Sequence, residues 1–257
     1  MPDIHQTAIV DPAARIGERV SIGPYCVIGP DVKIGDDTVL LSHVVVGGHT
    51  TIGNQCRIFP FASIGQQTQD LKYDGKVSYV VIGNRTTIRE YVTVNLATSE
   101  GDTTRIGDGC LLMAYSHVAH DCQVGNSVIV ANCGTLAGHV IVEDQVIVGG
   151  LSGIHQFVRI GKLAIIGGCS KVTQDIPPYM MADGHPISVH GLNSVGLKRK
   201  GISAASRKQL KDAFKLIYRQ DVLTSQAVEQ MQAWPDKTPE LEHLIEFVKA
   251  SDRGIVK

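Results

Sequence analysis

From Ile4 to Val172 an aliphatic side chain recurs at every sixth residue, and 26 of the 29 positions in that series are Ile, Leu or Val. The exceptions are Asp70, Lys76 and Glu100. An α-helix repeats near 3.6 residues and a flat strand at 2, so neither carries a strict period of six. A solenoid does, with six residues forming one short side of a coil. Two companion positions keep the same beat. The residue after the aliphatic one is repeatedly glycine, as at Gly17, Gly35, Gly53, Gly107 and Gly161, where the chain is expected to bend. Four residues after it stands a small or β-branched residue, as at Val20, Cys26, Thr38, Cys56 and Ala62. The large and the small side chains both point inward and fill a narrow prism.

The remaining composition narrows the function classes. A formal net charge of −1 over 257 residues argues against a general binder of nucleic acid or of a membrane surface. No apolar run approaches the ~20 residues of a membrane span, and the N-terminus lacks a charged-then-apolar leader. A cytoplasmic protein is expected. Cys26, Cys56, Cys110 and Cys122 fall on the small inward position, while Cys133 and Cys169 share a neighbouring phase. No pair has zinc-type Cys-x-x-Cys spacing, so all six read as core fillers and neither a metal nor a disulfide is expected.

The repeat is interrupted twice, at 66–79 and at 99–104, by polar stretches that read as loops thrown out from the prism. It ends at Gln174-Asp175-Ile176-Pro177-Pro178-Tyr179, since adjacent prolines cannot supply ladder donors. A linker is expected through Gly201. Beyond it the period becomes helical. Ser203 caps a helix carrying Leu210, Ala213, Phe214, Ile217 and Tyr218, a second begins near Thr224, and Thr238-Pro239-Glu240 opens a third. The chain therefore divides into a mainly β solenoid, residues 1–185, and a small α-helical C-terminal domain, residues 186–257.

A lap of 18 residues would stack residues 18 apart at one strand spacing, ~4.8 Å. His120 then lies beside Gly138, and Gly138 beside Gln156; Asp121 lies beside His139. His117 and His155 fall close by. All occupy outward phases, so four histidines, an aspartate and a glutamine gather along one outer strip. Histidine is the side chain suited to proton transfer near neutral pH, and a neighbouring carboxylate orients it. Spacing alone leaves open which imidazole Asp121 serves.

The segment His117-Val118-Ala119-His120-Asp121-Cys122 resembles the hexapeptide-repeat acyltransferases. So do Gln69-Asp70-Leu71-Lys72-Tyr73, Leu136-Ala137-Gly138-His139, His155-Gln156-Phe157 and Gly196-Leu197-Lys198-Arg199. That family folds as a left-handed parallel β-helix with three six-residue sides per coil; the left hand comes from the resemblance, against the usual right-handed crossover. The similarity is strongest to members that open lipid A synthesis. It implies transfer of a 3-hydroxyacyl chain from acyl carrier protein to the 3-position of UDP-N-acetylglucosamine, by a cytoplasmic homotrimer with sites between neighbouring prisms, without a cofactor.

The resemblance also assigns roles. His120 matches the general base, with Asp121 beside it, and Gly138 matches a backbone N–H that stabilises the oxyanion, typically worth ~3–4 kcal/mol of barrier. Asp70, Lys72, His117, His139, His155, Gln156, Asn193 and Arg199 match positions that hold the nucleotide sugar or the site. Gly168 matches the ruler of acyl length, within the small-residue ladder Asn132, Gly150 and Gly168. Lys211 and Lys215 match the basic helical face that meets the acidic carrier protein. A thioester donor makes a serine or cysteine nucleophile unnecessary.

Two departures stand out. Val195 replaces a usual glutamate, and Asn95-Leu96-Ala97-Thr98 replaces a usual His-Arg-Gly-Thr segment. They open an alternative, N-acylation of a 3-amino UDP-sugar by the same base. Two further readings are a trimeric zinc enzyme using His117, His120 and His139, and a non-enzymatic solenoid, against which the histidine strip and both loops speak. The sister enzyme that N-acylates a later lipid A precursor carries an extra N-terminal domain, whereas here repeats start at Ile4.

Overall fold

The computed structural model describes residues 1–257 and folds most of them into a left-handed parallel β-helix. Each side of each coil contributes a strand of only two to four residues, and every third strand pairs in parallel, giving three sheets along three faces of a prism. Asp3 pairs with Ser21 and Ile9 with Val27, so one lap is 18 residues. The two loops add whole multiples of six. Arg57 pairs with Thr87, and Thr87 with Leu111, separations of 30 and 24 that exceed a lap by 12 and by 6. This is why the aliphatic phase survives both interruptions.

Outside the two loops the every-sixth residue is buried from Ile22 onward, and so is the small residue four positions later. Only the open first coil departs, where Ile4 is exposed. One cluster of 59 buried residues runs from Val20 to Val256, so the helical segment shares the core of the prism instead of standing apart from it.

The glycines act differently from the expectation. The bends lie two residues further on, where non-glycine residues adopt the left-handed conformation at Arg19, Tyr25, Asp37, Phe61, Asp121 and their equivalents. The glycine is needed because successive rungs approach closely there. A Cβ on Gly107 would lie 2.6 Å from the carbonyl carbon and oxygen of Gly125 in the next coil. Two cysteines also depart: Cys26, Cys56, Cys110 and Cys122 are buried, but Cys133 is half-buried and Cys169 exposed, because both occupy the outward corner.

The expected linker is ordered structure. Met180–Gly184 pairs in parallel with the first face and turns back on Ile187–Leu192 as an antiparallel hairpin. Its alternation of buried Met180 and Ala182 with exposed Met181 and Asp183 is a period of two that the Gly184-His185-Pro186 turn had masked. The boundary expected at 185 falls in that turn. Four helices follow: α1 (Ser194–Arg199), α2 (Ala204–Tyr218), α3 (Thr224–Gln232) and α4 (Pro239–Lys249). The Ser203 hydroxyl accepts the Ser206 N–H at the start of α2, and Thr238 precedes α4 with proline at its first turn.

Polar contacts pin the helices to the prism. The Arg159 guanidinium sits 4.5 Å from the Phe247 ring and donates to the Ala250 carbonyl at 2.8 Å. Buried Asp175 accepts the Ser251 hydroxyl at 2.7 Å. His243 bridges Glu143, 3.0 Å away, and the Tyr179 hydroxyl at 2.9 Å. Burial raises the Glu143 carboxyl, but the hydrogen bond and charge of His243 outweigh it and hold the carboxyl below its ordinary 4.5. A carboxyl depressed in the folded state contributes stability above its unfolded value, and that contribution is lost as pH falls through the folded one. Acid unfolding followed by circular dichroism should therefore lose stability less steeply below about pH 4.5 in Glu143→Gln than in wild type; identical slopes would remove this contact from the acid response.

Candidate active site

Both loops leave the prism at the same edge, between the second and third faces. The chain passes there from Ser63–Gln66 to Tyr79–Ile82, and again from Thr93–Asn95 to Thr103–Ile106. In the next three laps that edge carries His120-Asp121, then Gly138-His139, then Gln156-Phe157. The first loop walls a cleft of about 670 Å³ whose floor is this edge, with Asp70, Lys72, His117, His120, Gly138 and Gln156 around it.

His120 and Asp121 form a dyad. The His120 Nδ1 lies 2.8 Å from Asp121 Oδ2, and the two side chains are only 14% and 8% exposed. An ionised carboxylate only accepts, so Nδ1 carries the proton and Nε2 keeps a lone pair. Asp121 is itself fixed: its left-handed backbone (φ 61°) turns the corner, its N–H donates to Thr104 Oγ1 at 2.8 Å, and its Oδ2 accepts the Thr98 N–H at 3.2 Å. The imidazole lies flat against the next rung. A Cβ on Gly138 would fall 2.4 Å from His120 Nε2, so only glycine leaves room for the ring. Gly138 is buried and its N–H, like those of His120 and Gln156 along this edge, donates to no acceptor within the protein, whereas on the edge between the third and first faces the N–H groups of Glu18, Asn84 and Asn126 donate to carboxylate oxygens of the next coil. A buried donor without a partner beside a free imidazole lone pair is the arrangement that receives developing negative charge on oxygen.

His117 stands at the cleft with its Nδ1 2.6 Å from the Thr93 hydroxyl. Burial, with the nearby His120, lowers its pKa, so at neutral pH it is a neutral hydrogen-bonding partner. Asp70 hangs over His120 with Oδ2 3.9 Å from Nε2. Asn95 is buried in the cleft wall, its Nδ2 donating to the Gln67 carbonyl at 3.3 Å and its Oδ1 without a partner. His139 lies across Asp121, Nε2 to Oδ2 3.7 Å, and stacks on Phe157 with centroids 4.6 Å apart.

Four expected site residues lie elsewhere. His155 is exposed outside the cleft, against Arg253 at 3.3 Å. Asn193 caps α1, donating to the Leu163 carbonyl at 2.9 Å and accepting the Gly196 N–H, and Arg199 is exposed at the far end of that helix. Gly168 stacks over Gly150 as the ladder predicts, but on the edge between the first and second faces. Within one chain, none of these four lines the cleft of His120. Nor do three histidines converge as a zinc enzyme would need; the close group is His120, Asp121 and His139, with His117 outside it. Thr93, Thr98 and Thr104 were missed, since the contacts of Thr93 and Thr98 cross the second inserted loop and Thr104 stands at its end; Phe157 was legible as the residue 18 beyond His139.

Comparison with known proteins shows the family. Residues 13–48 and 103–138 match the model of the bacterial transferase hexapeptide, and residues 175–256 match domain 2 of UDP-N-acetylglucosamine O-acyltransferase. A curated acyl-[acyl-carrier-protein]–UDP-N-acetylglucosamine O-acyltransferase from Thermodesulfovibrio yellowstonii is 52% identical over 258 residues, covering the whole of both chains. The chain belongs to this O-acyltransferase family. The counterpart from Verminephrobacter eiseniae is 46% identical, again over both full lengths. The solved structure of LpxA from Acinetobacter baumannii, at 46% identity, superposes with a TM-score of 0.95 over 99% of each chain.

The geometry makes one substitution informative. Gly138→Ala would push the His120 ring off its seat while leaving the aliphatic core untouched. The expected outcome is a native far-ultraviolet spectrum and a fall in turnover approaching that of His120→Ala, roughly 10²-fold or more. Full turnover in the alanine variant would contradict the packing described.

Proposed function

We propose that this protein transfers a 3-hydroxyacyl chain from acyl carrier protein to the 3-hydroxyl of UDP-N-acetylglucosamine, the first step of lipid A synthesis, in the cytoplasm. The observation that carries the reading is the pairing of a free His120 Nε2 with the unpartnered Gly138 N–H at one rung spacing. Whole-length relatives are named for O-acyl transfer from acyl carrier protein to UDP-N-acetylglucosamine, which supports the reading. His120 Nε2 takes the proton of the attacking hydroxyl as its oxygen bonds to the thioester carbonyl carbon. Asp121 holds the imidazolium that forms. The carbonyl oxygen, now negative, receives the Gly138 N–H. Collapse breaks the carbon–sulfur bond, and the leaving thiolate takes the proton back from His120, which returns the base for the next turnover. Asp70, Lys72, His117 and Gln156, which line the cleft, hold the nucleotide sugar, while His139 backs Asp121 from outside it.

Three of the four residues left outside the cleft, Gly168, Asn193 and Arg199, fit an assembly of three copies, in which the edge between one prism's first and second faces meets its neighbour's catalytic edge. Gly168 would then limit the acyl chain, and Asn193 and Arg199 would approach the nucleotide. A second observation supports this. Tyr25, His43, Phe61, Tyr91 and Tyr115 form a continuous ring ladder along the edge between the first and second faces, centroids 4.8 to 5.0 Å apart, and Tyr115 is 59% exposed. Such an exposed aromatic strip marks a surface that another protein covers. Lys211 and Lys215, exposed on α2, face the carrier protein. N-acylation of a 3-amino UDP-sugar stands as the second reading, favoured by the orphan Asn95 Oδ1, since an attacking amine keeps a hydrogen that a hydroxyl lacks.

With both sugar nucleotides offered to the purified protein, ester product from UDP-N-acetylglucosamine is expected, and His120→Ala should lose roughly 10²–10⁴-fold in turnover. A product formed only from the amine would replace O- by N-acylation, and wild-type turnover in the variant would remove His120 as base. Sedimentation equilibrium should return about three times the 27.6 kDa chain mass. Tyr115→Asp should weaken that assembly and activity together; a fully active monomer would rule the shared site out.

A further inference from the structure

The dyad has a second face. Asp121 and His139 border a separate hollow of about 370 Å³ on the third face, with Phe157, Arg159 and Arg253 around it, whereas the substrate cleft reaches His120 from the second face. From this side the ligand atoms of His120, Asp121 and His139 all lie within 4.8 Å of one another. We propose that these three residues form an inhibitory site for a zinc-class divalent ion, which takes the place of the proton between His120 and Asp121.

The donor set suits such an ion. Two imidazoles and one carboxylate are borderline ligands of the kind zinc prefers, and tetrahedral zinc, with bonds of about 2.0–2.2 Å, sets neighbouring ligand atoms roughly 3.3–3.5 Å apart. Asp121 Oδ2 is 2.8 Å from His120 Nδ1 and 3.7 Å from His139 Nε2, on either side of that spacing. The His120 and His139 rings meet edge to face at 5.1 Å, so their nitrogens converge on the carboxylate instead of stacking past it. Each ligand is also braced: Asp121 by the Thr98 and Thr104 contacts, His139 by Phe157, and His120 by Gly138. Solvent reaches the site through His139, 39% exposed, and supplies the fourth ligand. The cations of the hollow, Arg159 and Arg253, are offset by Asp175 and Asp252.

The consequence follows from where the ion sits. On Nδ1 it draws electron density from the ring and removes the carboxylate that would steady the imidazolium, while Nε2 still faces the substrate cleft. Sugar binding is untouched and proton removal is crippled. This kinetic consequence rests on His120 being the base; the binding itself does not. Full-length protein titrated with cobalt(II) should show the visible bands of a tetrahedral ion with nitrogen and oxygen ligands. Zinc should displace the cobalt. His139→Gln should weaken binding by at least the ~10–100-fold that even an outer partner of a metal ligand costs, and Cys169→Ser, which removes the exposed thiol, should leave it intact. Undiminished binding in His139→Gln, or a thiolate charge-transfer band that vanishes in Cys169→Ser, would overturn the site. In the transferase assay zinc should lower kcat and leave KM for the nucleotide sugar unchanged; competition with the sugar would overturn the placement. Were the transfer reaction itself assigned wrongly, the cobalt spectra would still decide the metal site.

Discussion

Successive laps of the chain are held together by backbone hydrogen bonds one rung apart, and everything else in the molecule depends on that spacing. Ile9 N donates to the Cys26 carbonyl at 2.8 Å and Val27 N to the Val44 carbonyl at 2.9 Å, and the pattern continues to the last coil. Two costs are met to keep it. Each corner forces a residue such as Arg19, Tyr91 or Asp121 into the left-handed conformation, at about 1–2 kcal/mol. The residue two before it must often lack a Cβ, because backbone of the next lap already fills that space. What offsets these costs is a continuous column of buried aliphatic side chains. Insertions are tolerated where they add whole sides, which is how two long loops were accommodated without moving a single core residue out of phase.

The same spacing builds the site. A corner that turns through Asp121 presents the preceding His120 outward, and the next lap presents Gly138 directly against it. No single strand or helix could have placed an imidazole, its orienting carboxylate and an unpaired N–H so close together, since they come from two laps. The first loop at this edge then walls the cleft, and the Thr98 N–H, just before the second loop, completes the environment of the carboxylate. A rigid scaffold with functional groups at its rim and loops above them is a common division of labour. Here the rim repeats, so neighbouring rungs offer further chemistry, and the His139 side of Asp121 is one instance.

How much of this could be read from sequence varied with the range of the interaction. The period of six gave the prism, and simple addition of 18 gave the pairings of His120 with Gly138 and Asp121 with His139, because register here is a counting problem. What counting could not give was direction or purpose. The glycines were expected to bend the chain, yet it is the close approach of the next lap that excludes a side chain, and only backbone positions reveal it. Cys169 falls three residues after Ile166, a phase whose outward direction is fixed by the left-handed corner. His155 has the phase of its neighbours but is drawn toward Arg253, a residue 98 positions away in a segment with no repeat to count by. The hairpin of 180–192 was hidden because turn residues interrupt its alternation. Contacts of Thr93 and Thr98 were invisible for a related reason, since they reach across insertions whose lengths had to be known first.

The claim that matters most is that the reacting oxygen is shared between His120 and the rung beyond it. A crystal structure with acylated nucleotide sugar bound tests it directly. The account requires the ester oxygen of the product within hydrogen-bonding distance of His120 Nε2, with the acyl carbonyl oxygen turned onto the Gly138 N–H. An ester lodged on the far side of Asp121, or a carbonyl pointing away from Gly138, would contradict it.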